Sequence, residues 1–136
     1  MKKIIFSSIC LLAISFTSCN NSVKNNTSTT KEITKDIAIK EISFGVRGNC
    51  GMCKSTIEKA ANSLDGVTSA TWNIDQKTIV VSYDSINMNE LSIHKAIAES
   101  GYDTEKVLGN LEAYNDLPGC CQYDHEMKMN QVAEED

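Results

Sequence analysis

The sequence predicts an α+β sandwich over residues 37–108, with a four-stranded antiparallel sheet carrying two helices on one face in the order β-α-β-β-α-β. Three observations predict it. Period-two alternation marks three strand-like runs: Ile42, Phe44, Val46; then Ala70, Trp72, Ile74; then Ile79, Val81, Tyr83. Helical spacing marks Ile57, Ala60, Ala61 and Leu64 after the first run, and Ile93, Ala96 and Ile97 after the third. Glycine stops follow each helical stripe, at Asp65-Gly66 and at Gly101.

Strand one covers Glu41 to Arg47, with Ile37 and Ile39 able to extend it backwards. Helix one runs from Met52 to Leu64, and strand two from Val67 to Asn73. Asp75-Gln76-Lys77 turns the chain into strand three, Thr78 to Asp84. Asn87 and Glu90 fit a capping box, opening helix two, which runs to Ser100. Tyr102 to Leu108 supplies strand four. Trp72 falls among the inward residues and is expected in the core. His94 lies off the helix-two stripe and is expected in solvent. About seventy residues in this order can bury a modest core, and the topology is that of a ferredoxin-like sandwich.

The chemistry sits where strand one meets helix one, at Gly48-Asn49-Cys50-Gly51-Met52-Cys53. Cys50 belongs to the connecting loop and Cys53 to the first helical turn. Unpaired amides and the positive end of the helix dipole lower a thiol pKa there. Soft-metal binding and dithiol–disulfide exchange both use such thiolates. Sulfur ligands select Cu(I), Hg(II) or Zn(II). Cu(I) and Hg(II) accept two thiolates, whereas Zn(II) wants four ligands. An exposed two-thiolate site suits hand-over of an ion, which is trafficking and not catalysis. The oxidoreductase alternative requires a thioredoxin-like fold with a cis-proline facing the motif, and the sole proline, Pro118, lies outside the domain. A disulfide between Cys50 and Cys53 is the purely structural alternative.

The Cys50–Cys53 motif, with Ile57, Leu64, Asp65-Gly66-Val67, Ala70, Asn73, Val81, Tyr83-Asp84, Ala96-Ile97 and Gly101-Tyr102-Asp103, resembles the heavy-metal-associated domain family. That family includes copper chaperones, N-terminal modules of copper-exporting ATPases and periplasmic mercury-binding proteins. The resemblance covers about Glu41 to Leu108. It implies Cys50 and Cys53 as metal ligands, Cu(I) as the leading ion with Hg(II) and Zn(II) as rivals, and a metal-transporting ATPase or efflux protein as partner. Two exposed loops sharing one ion would give a metal-bridged homodimer. This sequence departs from the family pattern, Gly-Met-Thr-Cys-x-x-Cys, in having Gly48-Asn49 directly before Cys50. Met52 stands inside the motif instead. Tyr102 stands near the position where copper chaperones tend to carry Lys.

The flanks carry other signals. Met1-Lys2-Lys3, the apolar run from Ile4 to Phe16, and Phe16-Thr17-Ser18-Cys19 resemble a bacterial lipoprotein leader and its lipobox. The resemblance implies residues 1–18 as signal peptide and a lipid-modified Cys19. It places the chain in the envelope, facing the periplasm, on the outer rather than the inner membrane. Residues 19–36 then form a polar tether. Net charge is −5 and no basic cluster is present, which argues against nucleic acid as a partner. Residues 109–136 are acidic at the end, yet carry Cys120, Cys121, His125, Met127 and Met129. Leu111, Tyr114 and Leu117 suggest a short helix that docks back. Three readings of the tail follow. Cys120 or Cys121 can join Cys50 and Cys53 around one ion. His125, Met127 and Met129 can form a second, weaker site. Or Cys120 and Cys121 form disulfides and the end is a disordered acidic tail.

Overall fold

A computed structural model describes residues 37–131. The leader, Cys19 and the tether lie outside the described residues, as do the last five positions. Among the described residues, no helix is long and apolar enough to cross a membrane.

Strands β1 (Ile39–Gly45), β2 (Val67–Asn73) and β3 (Thr78–Asp84) form an antiparallel sheet in the order β1-β3-β2. The register aligns the inward residues in rows. Phe44 faces Ile79, which faces Trp72, and Ile42 faces Val81, which faces Ala70. Helix α1 (Gly51–Asn62) buries Cys53, Ile57 and Ala61 on these rows. Helix α2 (Glu90–Glu99) adds Ile93, His94, Ile97 and Ala98. Trp72 is fully buried, as its place in the alternation requires, and its indole N–H donates to the carbonyl of Val46 at 3.1 Å. Gly101 ends the α2 region with φ of +94°. A side chain there would meet the backbone of Ala113 and Tyr114 at 2.8–2.9 Å, so only glycine fits.

Three expectations are corrected. Among the described residues the sheet has three strands, not four. The expected strand at residues 102–108 is reduced to one antiparallel bridge, Val46 to Thr104. It is framed by Arg47 N–H to Asp103 O (3.0 Å) and Glu105 N–H to Gly45 O (3.2 Å). Beyond it the chain turns: Thr104 N–H reaches Val107 O at 2.8 Å, and the Asp103 carboxylate accepts from Gly109 N–H at 2.8 Å. These local bonds win over continued pairing with β1. Secondly, the cap of α2 is Asn89, whose Oδ1 accepts from Leu91 N–H at 2.9 Å; Asn87 instead donates to Asp84. Thirdly, His94 is not solvated. It is wholly buried, its ring lies 3.8 Å from that of Phe44, and its Nδ1 pairs with Thr104 Oγ1 at 2.9 Å. Burial holds its pKa below the ordinary range, so it stays neutral.

After Gly109 the tail packs onto the domain. Helix α3 (Leu111–Asn115) is capped by Asn110, whose Oδ1 accepts from Glu112 N–H and Ala113 N–H. The following strap is fixed by buried polar contacts. The Tyr123 hydroxyl accepts from Asp103 N–H (2.7 Å) and donates to Gly101 O (2.9 Å). Tyr114 Oη donates to Tyr123 O at 2.7 Å. The Asp103 carboxylate, 1% exposed, takes both Arg47 Nη1 at 3.1 Å and His125 Nδ1 at 2.7 Å. Arg47 Nε then donates to the carbonyl of Met127 at 2.7 Å.

Burial works against ionisation of Asp103, but Gly109 N–H, His125 and Arg47 outweigh it and hold the carboxyl below its ordinary value. Its contribution is therefore full above the ordinary carboxylate pKa and is lost as pH falls through the lowered one. Replacing Asp103 by Ala leaves Arg47 half-buried without its partner. The expected cost is about 2–4 kcal/mol in urea denaturation at neutral pH, with increased hydrogen exchange at Tyr123 and Met127. A change under about 0.5 kcal/mol, the range of ordinary surface substitutions, would refute this role.

Candidate metal centre

Cys50 is the N-cap of α1, in extended conformation (φ −149°, ψ 178°), and its side chain does not cap the helix. The sulfur is left to face the amides of the first turn. Gly48 permits the loop to lie this close: a side chain there would sit 3.1 Å from both Cys53 Cβ and the Trp72 ring. Asn49 N–H donates to Cys53 Sγ at 3.3 Å, and the Asn49 side chain reaches across to the carbonyl of Gln122 at 3.3 Å. The residue that departs from the family pattern is thus a clasp between the loop and the tail.

The strap brings Cys121 onto the loop. Cys50 Sγ lies 3.5 Å from Cys53 Sγ and 3.8 Å from Cys121 Sγ, and all three sulfurs lie within 4.8 Å of one another. Among the described residues this is the sole cluster of three or more His, Cys or carboxylate ligand atoms. The four described cysteines are free thiols. A metal–sulfur bond of about 2.3 Å requires sulfurs about 3.8–4.0 Å apart for tetrahedral or trigonal coordination, but about 4.6 Å for a linear pair. The Cys50–Cys121 spacing of 3.8 Å meets that requirement and the Cys50–Cys53 spacing of 3.5 Å falls slightly short of it, while linear binding would force Cys50 and Cys53 much farther apart.

The thiols differ in acidity. The Cys53 amide, turned toward the sulfur without a full capping bond, is the largest influence on Cys50 and lowers its pKa from 9.0 to about 7, with burial opposing and the Met52 amide assisting. Burial pushes the Cys121 thiol up to about 12. Tyr102 borders the cluster. Its hydroxyl is buried and has no hydrogen-bond partner among protein N and O atoms; burial, then Cys53 and Cys121, raise its pKa.

The remaining tail candidates have other contacts. Cys120 is exposed beside Cys121, with 3.9 Å between the sulfurs. His125 is bound to Asp103 and is not part of the thiol cluster. Met127 packs against the core, and Met129 lies beside Gly45. Sequence reasoning passed over Asn49, Tyr102, Asp103 and Tyr123 as parts of this arrangement. A usable signal existed for Tyr123: Cys121 and Tyr123 alternate with polar Gln122, a period-two pattern directly after Pro118-Gly119.

The fold and the thiol pair define a small α+β domain that presents soft-metal ligands at a helix N-terminus. The chain belongs to the heavy-metal-associated domain family, with residues 48–103 matching it. It is 42% identical over 55 residues to the copper chaperone CopZ of Staphylococcus aureus (strain JH9), a match covering 40% of this chain and 81% of that one. A solved CopZ metallochaperone is similar at 38% identity, covering 48% of this chain and 98% of its own, with a TM-score of 0.47. The N-terminal domain of a potential copper-translocating P-type ATPase from Bacillus subtilis, solved in its Cu(I)-loaded state, is similar at 26% identity. That match covers 49% and 85% of the two chains, with a TM-score of 0.47. Cys120 and Cys121 lie beyond the matched residues.

Alkylation of the metal-free protein tests the acidity order. Thiolate is the nucleophile, so the rate at Cys50 should rise with pH through a midpoint near 7, with Cys121 protected over the same range. A Cys50 midpoint at the ordinary value of 9.0 contradicts the geometry.

Proposed function

We propose that this protein binds Cu(I) through the thiolates of Cys50, Cys53 and Cys121 and holds it in the cell envelope, as a store or gated donor. One observation carries the reading: Cys121 Sγ lies 3.8 Å from Cys50 Sγ, in position to complete a three-sulfur site. Likeness to a copper chaperone supports Cu(I) over Hg(II) and Zn(II). Zn(II) would need a fourth ligand beyond the three thiols. The reading is of a binding protein without catalytic turnover. Its natural acceptor is a copper-transporting ATPase or an efflux protein, to which an incoming thiolate would take over Cys121's position on the ion. A lipid on Cys19 would keep the domain at the membrane surface.

X-ray absorption at one Cu(I) per chain separates this from the two-thiolate alternative. The native protein should show three sulfur ligands and Cys121→Ser two, with affinity weakened about 10–100-fold, or about 1.4–2.8 kcal/mol. Two sulfurs in both would remove Cys121 from the site. Cys50→Ser with Cys53→Ser should abolish tight binding, and unchanged stoichiometry and affinity there would end the Cu(I) reading. Turnover of a disulfide substrate dependent on Cys50 would favour an oxidoreductase instead. Metabolic labelling with a fatty acid checks the anchor: Cys19→Ser should lose the label and leave the membrane fraction.

A further inference from the structure

Two sulfurs at the rim of the centre have no part in its three-thiolate arrangement. Met52 sits between the motif cysteines on the first turn of α1 and is 55% exposed. Cys120 immediately precedes Cys121 and is exposed. Their elements bring Cys120 Sγ to 3.8 Å from Met52 Sδ and 3.9 Å from Cys121 Sγ. Cys121 Sγ is in turn 3.8 Å from Cys50 Sγ. Five sulfurs, Cys53–Cys50–Cys121–Cys120–Met52, therefore follow one another in steps of 3.5, 3.8, 3.9 and 3.8 Å.

We propose that Cys120, Met52 and Cys121 form a second soft-metal site, holding a Cu(I) ion next to the first with the Cys121 thiolate bridging the two. This rests on the reading of Cys50, Cys53 and Cys121 as Cu(I) ligands. Thiolate sulfur has lone pairs enough to bond two soft ions at once. Sulfurs 3.8–3.9 Å apart subtend about 110–115° at an ion bonded at about 2.3 Å, within the range of three- and four-coordinate geometry. Thioether beside thiolate is a donor set for Cu(I) and a poor one for harder divalent ions.

The charge balance permits a second ion. Three thiolates around one Cu(I) carry two net negative charges. Entry of a second Cu(I) releases the Cys120 proton to solvent, one positive charge for another, so the cluster gains no charge. No electron moves, and both ions stay Cu(I). The outer site is built from an exposed thiol, a neutral thioether and a shared sulfur. It loads after the inner site and empties before it.

The test is an anaerobic Cu(I) titration of the full chain against a Cu(I) chelator, read by native mass spectrometry and copper-edge X-ray absorption. The native protein should bind two ions per single chain, with a copper–copper vector that is absent at one equivalent. Cys120→Ser should stop at one ion with the same three-sulfur coordination. Met52→Leu should retain both, the second about tenfold weaker. A native protein that stops at one three-sulfur ion overturns the second site and leaves the inner centre standing. So does a second ion that survives Cys120→Ser or appears only between two chains. Binding indifferent to Cys50 and Cys53 overturns the inner centre, and the second site with it.

Discussion

The buried carboxylate of Asp103 is the constraint on which the arrangement depends. It sits one residue past Tyr102, at the last position matching the family, and it joins three parts of the chain. Arg47 comes from the end of β1, Gly109 N–H from the turn before α3, and His125 from the strap. A carboxylate so deeply buried is tolerable only with such partners, because an unpaired buried charge costs several kcal/mol. Its own amide and the carbonyl of Gly101 then fix the Tyr123 hydroxyl, two residues from Cys121. The family domain ends in an anchor, and the anchor places a thiol from outside the domain onto the metal loop.

That third thiol changes what the loop can do. In a two-thiolate site an incoming sulfur finds an open position and exchange is associative. In the proposed three-thiolate site that position would be filled from within the same chain, at an effective concentration no free thiol matches. Release then requires the strap to shift or Cys121 to be displaced. The Asn49–Gln122 contact and the packing of Tyr102, Tyr114 and Tyr123 resist that. A site so built would hold an ion for longer and yield it to a partner able to compete for the loop surface.

Much of the domain was legible because its signals are local. Alternation gave the bounds of β2 and β3 at Val67–Asn73 and Thr78–Asp84, and the CxxC lay at the strand–helix junction as its neighbours required. The misreadings share a cause. Strand four, the α2 cap and His94 were each decided by contacts distant in sequence or by side-chain-to-backbone competition. Thr104 and Asp103 bond their own turn, Asp84 engages Asn87, and Phe44 and Thr104 enclose an off-stripe histidine. Hydrophobic periodicity does not register the short-range polar pairs, and Phe44–His94 lies outside any local window. The tail shows the same limit: its sulfur-rich composition was visible, but Cys121 reaches the loop and His125 turns to Asp103 through partners 71 and 22 residues away.

The split in acidity between the thiols gives the site a direction. Cys50, with a pKa of about 7, is substantially thiolate at neutral pH and open to solvent on one side. In the proposed site it would be the point of first attachment for an arriving cation. Cys121, at about 12 and 2% exposed, would keep its proton until an ion on Cys50 supplied the positive charge to displace it. In the proposed site, capture and locking would thereby be separate events, the second drawing on the charge brought in by the first. Reversal would follow the same order backwards: acid would return a proton to Cys121 before Cys50, so the proposed third ligand would be the first to let go.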